Sequence, residues 1–318
     1  MKTKHLITIP IAIIAIVVVF IMVSCSKDRT EDKTTTTSTA YAPLGSFYTN
    51  NAPPQQSFTI DSTGGDTITA MNGTKIWGIP TSIFMYQSTH QNVNYPYTIK
   101  LIEAYGIKNM MLEQLPNVAQ GNILQAAGEL NILAYKDTSA LVLKEHCGLP
   151  MWAPSSITPD NAMKVYYGFT SSTTNDWNLN VDATNYLFPS DPDTITKLSV
   201  SGSGYLMKIA KLGWIGINHT FSYSSSSMTF TINGTATNTN YIDIYIIFKN
   251  RHSFMKVSSL TASNLPTGDP ITVFAIANDT GGQMYYFDQD FTISNGLSVP
   301  ITMSTTTQAQ ILTMMGTF

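Results

Sequence analysis

The feature that most constrains this chain is its rhythm: short β-branched and aromatic runs, broken every few residues by Gly, Asn, Asp or Pro. Phe58-Thr59-Ile60-Asp61 leads into Gly64-Gly65. Thr67–Ala70 follows, and Asn72-Gly73 separates it from Lys75-Ile76-Trp77. Asn-Gly between extended runs predicts a hairpin, because both residues tolerate positive φ. Further strands are expected at Tyr97–Tyr105, Glu129–Tyr135 and Ala140–Leu143, then at Tyr205–Ile209, Met228–Ile232, Tyr241–Phe248, Ile271–Ala277 and Gln283–Phe287. Met163, Val165, Tyr167 and Phe169 alternate, as in a strand with one face buried. Tyr241–Phe248 is almost continuously apolar and should lie centrally in a sheet. Helical spacing is confined to a turn at Met110, Met111, Leu112 and Leu115 and to Thr306–Met315. The expected fold class is all-β, built as β-sandwiches.

The N-terminus sets a second constraint. Lys2 and Lys4 precede an apolar run from Leu6 to Val23, which ends at Ser24-Cys25-Ser26. A basic start, an apolar core and a small residue before the break describe a secretory signal. With a cysteine next, the junction resembles the lipobox of bacterial lipoproteins, although Met22 stands where such boxes usually carry Leu. The resemblance implies that residues 1–24 are removed and that Cys25 becomes the lipidated N-terminus, carrying acyl chains such as palmitate. An uncleaved transmembrane helix is the alternative, since about 18 apolar residues can span a bilayer. Such an anchor has no use for a cysteine at its outer end.

Residues 25–56 read as a flexible tether. Asp28–Thr39 is charged and threonine-rich, and Pro43, Pro53 and Pro54 follow. Such a stretch buries too little apolar surface to offset its ordering entropy. Beyond it, two immunoglobulin-like β-sandwich domains are expected, at 57–155 and 156–318, meeting in the proline-rich segment Pro150–Pro159.

Composition narrows the function. The 17 basic residues include Lys2 and Lys4, so the mature chain would carry 15 against 20 acidic ones. Only Arg29 and Arg251 are arginines, and no basic cluster offers a face to phosphates, which argues against nucleic acid. Of the two cysteines, Cys147 has no partner once Cys25 is lipidated. Its neighbour His146 would point to the opposite side of an extended segment, so a buried structural thiol is expected there.

At this point the residues point to a family. Phe58-Thr59-Ile60-Asp61, Gly64-Gly65, Asn72-Gly73-Thr74-Lys75-Ile76, Ile79-Pro80 and Phe84 resemble the opening of a domain of Bacteroidota surface lipoproteins. That domain is similar in pattern to the β-sandwich of ankyrins and netrin receptors. Ile99–Glu103, Lys108–Leu112, Gly128-Glu129-Leu130, Met163–Gly168 and Lys211–Ile215 continue the likeness, whereas Gly216-Ile217-Asn218-His219 departs from it. The resemblance implies an outer-membrane lipoprotein, and the acidic residues Asp28, Glu31 and Asp32 are similar to surface-export signals. It assigns no catalytic residue.

Catalytic signatures are absent from the sequence: there is no Gly-x-Ser-x-Gly, no phosphate-binding glycine loop and no His-Glu-x-x-His. Asp191/Asp193 and Asp288/Asp290 are carboxylate pairs placed in expected loops, where solvated turn residues are the favoured reading over Ca²⁺ ligands. No cofactor and no metal is expected. Trp77 and Trp214 read as core, while Trp152 and Trp177, near loops, are the candidates for stacking on a sugar or peptide. The leading expectation is a non-enzymatic binding or scaffolding module whose partner is an envelope protein. The alternative is a glycan-binding or glycan-acting lipoprotein of a nutrient-uptake system.

Overall fold

The computed structural model describes residues 39–61, 67–168, 177–179 and 198–318. The signal segment, Cys25, Asp191, Asp193 and the Gly64-Gly65 pair lie outside the described residues. The described residues are mostly β-sheet, in several sheets, with no closed barrel among them.

Among the described residues, four sheets form two sandwiches. In the first, a nine-stranded sheet faces a five-stranded one. Ile99, Leu101, Leu130, Ile132 and Ile215 from the larger sheet interdigitate with Ile76, Met151, Tyr205 and Met207 from the smaller. In the second, a six-stranded sheet that includes Asp243–Phe248, Ser253–Val257, Pro270–Asp279 and Met284–Thr292 faces a three-stranded sheet. Ile244, Ile246, Phe248 and Val273 pack there on Met228, Phe230, Leu265 and Val299. The three-stranded sheet contains a parallel pair, Met228–Ile232 beside Leu297–Ile301.

A third apolar cluster fills the seam between the sandwiches. It joins the second face of the six-stranded sheet (Tyr245, Ile247, Phe274, Ile276) to Leu124, Ala126, Tyr166 and Trp177 of the nine-stranded sheet. Three short helices, Gly45–Asn51, Ile107–Leu112 and Gln308–Met315, contribute Phe47, Tyr48, Met110, Met111, Ile311 and Met315 to the same cluster. The last helix starts with a capping box, in which Thr307 and Gln310 satisfy each other's backbone N–H groups.

One strand ties the three clusters together. Asn122–Lys136 runs for 15 residues, about 50 Å of extended chain. Ile123 packs into the second sandwich, Leu124 and Ala126 into the seam, and Leu130, Ile132 and Ala134 into the first sandwich.

Several expectations hold. The Asn72-Gly73 hairpin forms between Ile68–Thr69 and Lys75–Ile76, with Gly73 at φ 101°. Both expected helical segments are helices. Asp243–Phe248 is central, paired on both sides and buried on both faces.

Three expectations are corrected. First, hydrogen bonding crosses residue 155. Leu149–Pro154 pairs with Gly204–Ile209, and Gly213–Thr220 pairs with Leu124–Ile132. The chain passes from one sandwich to the other between Thr220 and Ser225, not near Pro154–Asp160. Prolines suggested a linker there, yet Leu149–Pro154 is the middle strand of the five-stranded sheet. Its ladder to Lys75–Ile76 involves only Met151 and Trp152, so neither proline has to donate on that side. Second, the expected tether does not extend to residue 56. Tyr41–Ala42 pairs with Asn278–Asp279, and Tyr41, Leu44, Phe47 and Tyr48 are buried. Phe47 and Tyr48 lie on the helix Gly45–Asn51, a segment too short and too closely flanked by prolines to show a helical period. Third, the strand Lys164–Gly168 is buried on both faces from Tyr166 to Gly168, with Tyr167 in the first sandwich and Tyr166 in the seam, while Phe169 lies outside the described residues.

Candidate functional site

Hydrolytic and proton-transfer chemistry depends on positioned acid groups, and two glutamates of this chain are buried. Glu103, on the strand Tyr97–Ala104, is 1% exposed. Its carboxylate accepts from Thr74 N–H (3.1 Å), the Thr74 hydroxyl (2.5 Å), Asn72 N–H (2.8 Å) and Gln56 Nε2 (2.9 Å). Four donors on one carboxylate hold the Asn72-Gly73 turn and leave no lone pair for a substrate. Glu129 is buried in the seam, and Asn117 Nδ2 donates to its Oε1 at 2.7 Å. Burial pushes its carboxyl well above the usual carboxylate range, and the Asn117 bond opposes this only in part.

Asp288 and Asp290 lie within the strand Met284–Thr292 rather than in a loop. Spaced two apart, they share one face, beside a recess of about 380 Å³ lined also by Lys249, Thr272 and Phe318. Asp290 accepts from Lys249 (2.7 Å) and from Thr272 (2.8 Å), and these bonds lower its pKa. Asp288 is shifted upward by desolvation and by its neighbour Asp290. Among the described residues no group of three or more His, Cys, Asp or Glu is placed to hold a metal ion.

A second polar cluster anchors the N-terminal helix. The Tyr48 hydroxyl donates to Asp243 and lies 2.6 Å from the Tyr245 hydroxyl. Lys256 reaches Asp243 (2.9 Å) and Gln114 (2.6 Å), and Gln114 donates to Tyr245 at 2.9 Å. Burial raises the pKa of both tyrosines, so they remain hydroxyl donors. The cluster fastens helix to sheet.

Cys147 is a free thiol, half buried rather than fully buried, and it lies in a turn closed by its N–H to Lys144 O (3.1 Å) rather than in an extended segment. His146 adopts φ 61° there, with Glu145 at 3.7 Å. His252 Nδ1 donates to Ala126 O (3.1 Å) and lies 3.4 Å from the Ser156 hydroxyl. Ser156 itself donates to Ala127 O, so this pair is backbone-bound rather than set up as nucleophile and base.

The two tryptophan candidates separate. Trp177 is fully buried, its Nε1 donates to Pro116 O at 3.0 Å, and its ring lies on Gly168 and Gly216. It offers no face to a ligand, which corrects the expectation; the seam, invisible in the local sequence, encloses it. Trp152 stays half-exposed on the outer face of the five-stranded sheet. Its Nε1 donates to Ser201 O at 3.0 Å, and the ring rests on Gly204, where a Cβ would come within 2.7 Å of it. The indole is therefore pinned flat against the sheet.

Trp77 shares that face, although the sequence reading assigned it to the core. Ile76 is fully buried, so the alternation turns Lys75 and Trp77 outward. Trp152 lies opposite Lys75, and Trp77 N–H bonds to Pro150 O, which makes the two tryptophans diagonal neighbours. Period-two spacing about Ile76 was the available signal. Trp214 is half-buried against the seam.

No family model and no curated protein sequence matches the chain. Among solved structures, gamma-CGTase from alkalophilic Bacillus clarkii aligns at 10% identity with a TM-score of 0.20. The alignment covers 61% of this chain and 43% of the CGTase, so it spans less than half the length of that protein. At this level of likeness neither fold family nor activity is carried over.

Proposed function

We propose that this chain is a lipid-anchored, non-enzymatic protein of the cell envelope, which acts by binding or scaffolding. The observation that carries the reading is the junction at Ser24-Cys25, where a basic start and an apolar run end at a cysteine. The commitment of Glu103 to the hairpin turn and of Asp290 to Lys249 and Thr272 supports a non-catalytic role. The acyl chains hold the protein to the outer membrane. No described helix is long and apolar enough to cross a membrane.

Mass spectrometry of the N-terminus and metabolic labelling with an alkyne-tagged palmitate test the anchor. The expected result is a diacylated or triacylated Cys25, with labelling and membrane retention both lost in Cys25→Ala. An intact Met1, or a Cys25→Ala chain that stays membrane-bound after processing, overturns it.

A second reading, binding of a glycan, is favoured by one observation: the pinned, half-exposed Trp152 with Trp77 diagonal to it. A flat indole suits the apolar face of a sugar ring, and the surrounding Ser199, Ser201 and Lys75 supply polar partners at the rim. Binding on a glycan array that Trp152→Ala removes selects this reading. Array signals unchanged by Trp152→Ala, or none at all, exclude it.

A further inference from the structure

The seam between the sandwiches holds polar atoms that the protein itself leaves unmatched. Glu129 Oε2, Asn218 Nδ2 and Asn218 Oδ1 are all inaccessible from outside and have no hydrogen-bond partner among the described residues. Both residues are fully buried. Leaving one such group unmade costs about 1–3 kcal/mol, so three together call for an explanation.

Their placement is local. Gly216 stands directly opposite Glu129 in the antiparallel ladder, and a register shift follows between Ile217 and Asn218. A Cβ on Gly216 would lie 2.3 Å from Asn218 Nδ2, so the Asn218 amide occupies the space a side chain would fill there. Cross-strand partners have Cβ positions about 5 Å apart, which brings the Asn218 amide beside the Glu129 side chain. Trp177 closes the same space, its ring 3.2 Å from the Gly216 Cβ position. On the far side, Asn117 donates to Glu129 Oε1, and Asn117 Oδ1 accepts the Phe254 N–H at 2.9 Å. Glu129 is thus one link from the second sandwich.

We infer that Glu129 Oε2 and the Asn218 amide enclose an internal hydration site, in which ordered water bridges the two side chains. A water molecule both donates and accepts, so it can match a carboxyl oxygen, an amide N–H and an amide oxygen that do not meet directly. The glycine at 216 and the register shift before Asn218 let the Asn218 amide lie over the strand beside Glu129. The bridge completes a chain of hydrogen bonds running from Asn218 through water, Glu129 and Asn117 to the backbone of Phe254. The ligand class is water rather than a cation: one carboxyl and one amide oxygen fall short of the six to eight oxygens that Ca²⁺ takes.

High-resolution crystallography of the folded chain, with water-to-protein NOE measurements in solution, tests this. The expected result is a fully ordered water within about 2.7–3.2 Å of Glu129 Oε2 and of an Asn218 amide atom. Glu129→Gln keeps the shape and the hydrogen-bonding capacity, and should retain the same water at full occupancy. An empty space, a direct Glu129–Asn218 hydrogen bond, or a peak with cation-like distances of about 2.3–2.6 Å overturns the inference. So does loss of the water in a folded Glu129→Gln chain.

Discussion

Replacing Glu103 by Ala removes the acceptor for four donors at the Asn72-Gly73 turn. Asn72 N–H and Gln56 Nε2 are only part-buried, so water can replace the carboxylate and their loss costs little. Thr74 is fully buried, and its N–H has nowhere else to turn. Leaving that group unmatched costs about 1–3 kcal/mol. The Thr74 hydroxyl can redirect its proton to the Tyr105 hydroxyl at 2.8 Å, so its contribution lies at the low end of the same range. With the lost packing, Glu103→Ala should destabilise the chain by about 3 kcal/mol. Glu103→Gln keeps the volume but turns an amide NH₂ toward N–H donors, and should cost about half as much. Equilibrium urea unfolding followed by tryptophan fluorescence reads both values, and amide exchange at Asn72 and Thr74 should accelerate in each variant. If Glu103→Ala costs less than about 1 kcal/mol, or if Glu103→Gln matches the parent, the carboxylate is not the acceptor that holds this turn.

The two tryptophans should respond in opposite ways. Trp177→Ala empties the seam and should cost about 3–5 kcal/mol, whereas Trp152→Ala should change stability by less than about 1.5 kcal/mol; equal costs would contradict the placement of Trp177. Phe47→Ala, on the N-terminal helix, should cost about 3 kcal/mol, and limited proteolysis of the parent should leave Tyr41–Asn51 attached to the folded product; early cleavage within that helix would restore the tether reading. His252 titrates below the ordinary histidine range because burial disfavours its charged form, an effect only partly offset by its bond to Ala126 O. The unfolded chain therefore takes up this proton first, so the contribution of His252 is fully present above about pH 6.5 and is lost as pH falls toward the folded-state pKa. His252→Asn tolerates the φ of 47° and should flatten that part of the stability–pH profile; an unchanged slope would refute it.

Much of the fold could be read locally. The Asn72-Gly73 hairpin, the short helix Ile107–Leu112, the capped helix ending at Met315 and the central Asp243–Phe248 strand each follow from residue types within one element. Turn chemistry, capping and burial on both faces need only neighbours in sequence, so periodicity reports them. Sheet membership is different. Leu149–Pro154 looked like a linker because proline cannot donate to a ladder, yet it pairs along its whole length with Gly204–Ile209, and its ladder to Lys75–Ile76 stops short of both prolines. Residue 155 looked like a boundary because nothing local announces that Gly213–Thr220 will pair with a strand some 80 residues earlier. The site divides in the same way. Trp77 could have been placed outward from its alternation with Ile76, a local signal. Trp152 and Trp177 have similar sequence surroundings, and only the packing of the second sandwich, three helices and the nine-stranded sheet against one another decides which indole is enclosed. The contacts that enclose Trp177 come from residues distant in sequence, where hydrophobic burial is non-directional and a local pattern holds no record of the partner.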